Sequence, residues 1–255
     1  MLIPRVIPCL LLKDLGLVKS IRFKDYRYIG DPINAVRIFN AKEADELVFL
    51  DILATRGKRK IQLDLIKKIG DEAYMPFTVG GGINSLSMIK EVLNAGAEKV
   101  CINSSAFKRP EFIKEASDAF GSSSIVVSID VKSNFLNNKY IYDHSTSKLT
   151  DIDPTEYASL IERMGAGEII LNSVDRDGMM IGYDIELIRR ISDTVGIPVI
   201  ALGGAGKLED FQSAVNEGHA SAIAAGSLFI YHGARKAVLI NYPTKTELKK
   251  LFNSY

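Results

Sequence analysis

The chain of 255 residues carries 32 Lys and Arg against 31 Asp and Glu, with 47% apolar and 25% charged residues, for a net charge of +1. That balance is ordinary for a globular protein in water, gives no general attraction to polyanions or anionic surfaces, and is expected to exclude nucleic acid and membrane as partners. Cys9 and Cys101 both lie inside apolar runs, so no disulfide framework is indicated and a reducing, cytoplasmic setting is expected.

The first apolar run, RVIPCLLL (5–12), is preceded by few cations and followed by Lys13-Asp14, which fits a first strand better than the core of a leader segment. Further runs rich in β-branched residues begin near 46, 76, 98, 124, 167, 198 and 221. Between them, segments with helical periodicity occupy 35–44, 60–69, 86–93, 111–120, 154–164, 184–195 and 208–216. No apolar run approaches the roughly 18 residues of a membrane span. The uninterrupted run IVVSI (125–129) indicates a strand buried on both faces, as in a parallel sheet. Eight strand–helix units close most simply into a (β/α)8 TIM barrel, with residues 1–255 as a single domain. A doubly wound open sheet is the alternative. The longest connections follow the first, second and fifth strands, at 13–31, 53–59 and 132–153.

Residues 77–107 and 199–229 align without a gap, pairing Gly81 with Gly203, Gly82 with Gly204, Leu86 with Leu208, Asn94 with Asn216, Gly96 with Gly218, Ser105 with Ser227 and Phe107 with Phe229. The barrel is therefore expected to consist of two homologous half-barrels. An open sheet offers no reason for that repeat. Small residues at strand ends leave backbone N–H groups accessible, a setting suited to anions. Gly82, Asn103 and Ser104 would form one phosphate pocket, and Asp177, Gly178, Gly204, Gly226 and Ser227 the other. The plainer reading is that Gly-Gly makes tight strand-to-helix turns, but a matched pair at equal offset favours phosphate binding.

Asp130 follows the apolar stretch SIVVSI, where a carboxyl is tolerated only if hydrogen-bonded or facing an open mouth. It is the expected general acid or base, the alternative being a loop cap. The matching place in the first half holds Leu11. At the opposite strand ends stand Arg5, Glu46, Lys99 and Glu168, either solvated or paired into a plug. The basic run RGKRK (56–60) reads as a solvated surface or a contact for an anionic substrate. His144, His219 and His232 lack metal-ligand spacing, so neither a metal nor any other cofactor is expected.

RVIPCLLLKD, GDP (30–32), DELVFLDI (45–52), PFTVGGGI (76–83), KVCINSSA (99–106), GAGEIIL (165–171), DRDGMMIGYD (175–184) and GGAGK (203–207) together resemble the cyclase, or synthase, subunit family of imidazole glycerol phosphate synthase, over nearly the whole chain. The resemblance implies a heterodimer in which a glutaminase subunit docks at the strand-beginning mouth. Ammonia then crosses the barrel to a substrate bearing two phosphates, which is cyclised and cleaved. The family's charged ammonia gate falls on Arg5, Glu46, Lys99 and Glu168, and its phosphate pockets on the glycine, Asn and Ser positions above. Its second catalytic aspartate falls on Asp130, whereas its first falls on Leu11. A positioned carboxylate contributes about 10²–10⁴-fold to rate, and Leu transfers no proton.

The connection SNFLNNKYIYDHSTSKLTDIDP (133–154) and the tail YHGARKAVLINYP (231–243) also depart from the family pattern. Both look like a paralogous branch found with surface-polysaccharide genes. Its members work with a glutaminase and a sugar-amidating enzyme to convert an acetamido into an acetamidino group. The competing enzyme reading is a true cyclase of histidine biosynthesis in which Asp130, assisted by Lys19 from the first connection, suffices. A scaffold that only activates a glutaminase, or a phosphate-sugar isomerase needing no ammonia, are the remaining alternatives.

Overall fold

The computed structural model describes residues 3–54, 61–233 and 235–253; the basic run 56–60 lies outside them. Strand β1 (Arg5–Lys13) is followed by an antiparallel hairpin of β2 (Gly16–Ile21) and β3 (Lys24–Gly30). Then come α1 (Pro32–Ala41), β4 (Leu47–Asp51), α2 (Leu63–Glu72), β5 (Phe77–Gly80), α3 (Leu86–Asn94) and β6 (Lys99–Ile102). A short α4 (Ser104–Lys108) and α5 (Glu111–Phe120) lead to β7 (Ile125–Ser133), extended by the antiparallel β8 (Lys139–Asp143) and β9 (Lys148–Leu149). The second half runs α6 (Pro154–Arg163), β10 (Glu168–Ser173), α7 (Ile185–Ser192), β11 (Val199–Leu202), α8 (Glu209–Asn216) and β12 (Ala222–Ala225). It ends in a short α9 (Ser227–Ile230), the pair β13 (Tyr231–His232) and β14 (Ala237–Val238), and α10 (Lys245–Asn253).

Eight parallel strands, β1, β4, β5, β6, β7, β10, β11 and β12, pair in that order, and β12 returns to β1. The sheet is a closed (β/α)8 TIM barrel. Every barrel strand starts within a residue of its expected place, because runs buried on both faces are hard to misplace. Along β1 the side chains alternate: Ile7 and Cys9 join a small inner cluster, while Val6 and Leu10 join the large core under the helices. Phe39, Phe112 and Phe211 are fully buried in that outer layer, each contributing about 1.5–3 kcal/mol.

Two corrections concern boundaries. Helix α1 starts at Pro32 rather than 35 because Asp31 caps it, accepting from Asn34 N at 2.9 Å, with proline in the first turn. The first and fifth connections are not open loops but carry the β2–β3 and β8–β9 hairpins; β3, β8 and β9 are polar strands that lack the apolar alternation that marks a strand. Among the described residues no helix is long and apolar enough to cross a membrane.

The two halves repeat at the turns that matter most. Gly81 and Gly203 have φ of 112° and 89°. A Cβ on Gly81 would strike the backbone of Asp51 at the end of β4, and one on Gly203 would meet Asn172 and Ser173 at the end of β10. Gly203→Ala is therefore expected to cost about 1–3 kcal/mol, read as a lowered Tm in thermal unfolding. An unchanged Tm would show that the turn relaxes freely.

Candidate active site and charged ring

A cavity of about 700 Å³ opens at the strand-end mouth. All eight residues expected in the two phosphate pockets, Gly82, Asn103, Ser104, Asp177, Gly178, Gly204, Gly226 and Ser227, line it, together with Asp130, Lys19 and Leu11. The two sets of residues thus border one continuous space. Ser104 and Ser227 open α4 and α9, matching helices of the two halves.

Asp130 sits within β7, which runs on to Ser133, and faces Asn172 directly across the β7–β10 ladder. Asn172 Nδ2 donates to Asp130 Oδ1 at 3.0 Å, and Asn103 Nδ2 donates to Oδ2 at 2.8 Å. Burial lifts Asp130 to a pKa of about 6 despite these two bonds. Asp177 is likewise lifted to about 6 by burial, with Lys19 pulling down and Asp130 pushing up. Asn103, expected only against phosphate, therefore gives its side-chain amide to Asp130.

Lys19 is on strand β2 rather than in a loop, and is 5% exposed. Its Nζ donates to the Cys9 carbonyl at 2.6 Å. Burial holds it below its ordinary pKa, opposed by Cys9 and Asp177. Leu11, paired with Val18 of β2 and Leu50 of β4, lines the cavity with an apolar side chain. Two carboxyls that ionise near pH 6, one of them beside a buried amine, make a set able to give and take protons. Sequence reasoning missed Asp177 as an acid and Asn172 as the partner of Asp130; aligning the ends of the fifth and sixth barrel strands would have found the latter.

The two hairpins meet over the mouth. Arg22 N donates to the Asp177 carbonyl and Arg22 Nε to that of Asp175, each at 3.0 Å. The Phe23 ring lies 6.2 Å from Tyr142 and 5.3 Å from His144, and Phe23, Tyr26 and His144 all line the cavity.

At the strand-beginning mouth the four charged residues do pair. Arg5 reaches Glu46 and Glu168, each at 2.5 Å, and Lys99 reaches the same acids at 3.3 and 2.9 Å. Each cation bridges both acids, closing a ring across the axis. Burial works against the Arg5 charge, but Glu168 and Glu46 hold its pKa above the ordinary value. Thr78 Oγ1, from inside the barrel, donates to Glu46 Oε1 at 3.0 Å. Asp45 Oδ2 accepts from Val6 N at 2.9 Å, and Tyr242 Oη donates to the Val6 carbonyl at 2.8 Å, bracing β1 beside Arg5. His219 pairs with Asp193 at the surface, and His232 lies on β13. Among the described residues no group of three or more His, Cys, Asp or Glu is placed to hold a metal ion.

Residues 5–235 match the model of the family described as histidine biosynthesis protein. A protein of Leptospira borgpetersenii provisionally named imidazole glycerol phosphate synthase subunit HisF is 47% identical over 253 residues, 99% of this chain and 100% of its own. A Pseudomonas aeruginosa protein, with the provisional name imidazole glycerol phosphate synthase subunit hisF2, is 46% identical over 244 residues, covering 96% of this chain and 97% of its own. A Vibrio vulnificus counterpart, hisF3, is 42% identical over 251 residues, 98% of this chain and 96% of its own.

The carboxyl geometry sets a pH dependence. Asp130 ionises near 6 when folded against an ordinary value of 3.8. Its raised folded pKa stabilises the chain fully below about pH 4, and that contribution is lost as pH rises through 6. Asp130→Asn should flatten this fall by up to about 2–3 kcal/mol between pH 4 and 7 in urea unfolding. An equal slope in both proteins would show that Asp130 ionises normally.

Proposed function

Because the chain belongs to the histidine biosynthesis protein family, as an imidazole glycerol phosphate synthase-like subunit, we propose that it receives ammonia from a glutaminase partner and conducts it along the barrel axis for amidation of a sugar. The observation that carries this reading is a complete charged ring at one mouth combined with Leu11 at the other. The ring gives a glutaminase a face to dock on and a plug that opens only when its ion pairs separate. Beyond it the inner wall is apolar or weakly polar, with Thr78, Cys9, Cys101 and Ser128 among its residues. Neutral ammonia crosses such a stretch at modest cost, whereas ammonium would be left without a counter-charge. The path leads to Asp130 and the cavity.

The glycine, Asn and Ser positions at that mouth then hold the phosphates of a phosphorylated substrate, and a sugar-amidating enzyme converts an acetamido to an acetamidino group with the delivered ammonia. This is the role of the polysaccharide-linked branch. A second reading, cyclisation in histidine biosynthesis, draws support from Asp130 and Asp177, both near 6, with Asp177 beside Lys19. Under it, these two acids share the proton transfers that Leu11 cannot make.

One measurement separates the readings and a second tests the gate they share. With ammonium salts and the histidine-pathway intermediate, the unmodified chain is expected to turn over at least about 100-fold slower than Leu11→Asp. Robust cyclase activity from the unmodified chain would overturn the sugar reading. Glu46→Lys should abolish use of glutamine-derived ammonia while leaving use of free ammonium salts intact; equal loss with both sources would argue against a gate.

A further inference from the structure

The turn after β8 holds a cluster that the proposed ammonia route does not use. Asp143 is buried and accepts from Ser145 N at 2.8 Å, Ser145 Oγ at 2.7 Å and Thr146 Oγ1 at 2.8 Å. Three bonds into one carboxylate fix the shape of this turn. His144, the next residue, is thereby seated edge-on against Phe23 and lines the cavity. Phe23 is itself fixed, since Arg22 before it bonds the carbonyls of Asp175 and Asp177.

Lys108 lines the same cavity from the end of α4, the helix that Ser104 opens. Burial raises Asp143, but Ser145, Thr146 and then the Lys108 charge bring it below its ordinary value, so Lys108 lies close to this turn. Among the described residues two lysines line the cavity: Lys19 is tied to the Cys9 carbonyl deep in the barrel, and Lys108 is exposed at the edge. Asp51, an acid in the same lining, accepts from Leu53 N and Ala54 N in its own turn. An ammonium, an imidazole and a serine hydroxyl therefore border the same cavity as Gly82.

We propose that Lys108 and His144, with Gly82 and Ser104, form a recognition site for a dianionic phosphate group and select the phosphorylated ligand the protein accepts. A phosphate has three oxygens to satisfy and carries more than one negative charge, which suits donors converging from α4 and the β8–β9 turn. The proposal rests on the reading of the Gly82 half as an anion pocket. It adds to that pocket the two side chains that discriminate among anions, one of them supplied by the connection that departs from the family pattern.

Isothermal titration with inorganic phosphate, ribose 5-phosphate and uridine diphosphate tests it. The titrations use the full chain, Lys108→Ala, Lys108→Arg and His144→Asn, each in a Ser227→Asp background that places a negative charge in the opposite half. Lys108→Ala should weaken the tightest-bound of the three about tenfold and His144→Asn severalfold, while Lys108→Arg stays within about threefold. Which probe binds tightest separates a free phosphate, a sugar phosphate and a diphosphate as the source. If affinity survives Ser227→Asp and neither Lys108→Ala nor His144→Asn changes it, this inference fails while the anion pocket stands. If the Ser227→Asp protein binds none of the three, both fail together.

Discussion

Pairing of β7 with β10 is the constraint on which both mouths depend. Its six rungs, from Val126 opposite Glu168 to Val131 opposite Ser173, turn a sheet into a closed wall. At the lower end the ladder delivers Glu168 to Arg5 and Lys99. Four rungs higher it sets Asn172 against Asp130. A slip by one residue would reverse which side chains face inward. Glu168 would turn toward the helices and Asp130 would lose its amide partner, so ring and cavity would fail together.

The two ends of the barrel handle buried charge in opposite ways. In the ring, two cations answer two acids, and Arg5 is held charged by them. Such a cluster is neutral as a whole, and separating it costs several kcal/mol for each ion left unpaired. In the cavity, Asp130 is answered by two amides, which bond the carboxylate without cancelling its charge. Desolvation then prevails, and the group ionises near pH 6. One mouth thereby pairs its charges and the other is poised to exchange protons. The same residue types, placed at opposite ends of parallel strands, acquire these different tasks from their partners alone.

Much of the architecture was legible because it is written in buried runs and in glycine. Barrel strands are apolar on both sides, and Gly81 and Gly203 mark turns where a neighbouring strand end leaves no room for a Cβ. The four ring residues were legible as charges at strand beginnings, though only the geometry shows that each cation spans both acids. The hairpins after β1 and β7 were not legible, since β3 reads Lys24-Asp25-Tyr26-Arg27-Tyr28 and faces largely outward. With them went the burial of Lys19, which depends on β2 folding back along β1. The raised carboxyl of Asp177 was hidden for a related reason: it depends on the burial of that loop residue, beside Ser20 and Lys19 of β2.

Tyr242 gives the bracing of β1 a bearing on how the protein is made. The strand bearing Arg5 is made long before the hydroxyl that grips the Val6 carbonyl, which lies 236 residues further along. Glu168, the acid from the other half-barrel, also arrives late. A nascent polypeptide therefore carries an unbraced β1 and an incomplete charged ring until these distant segments have been made.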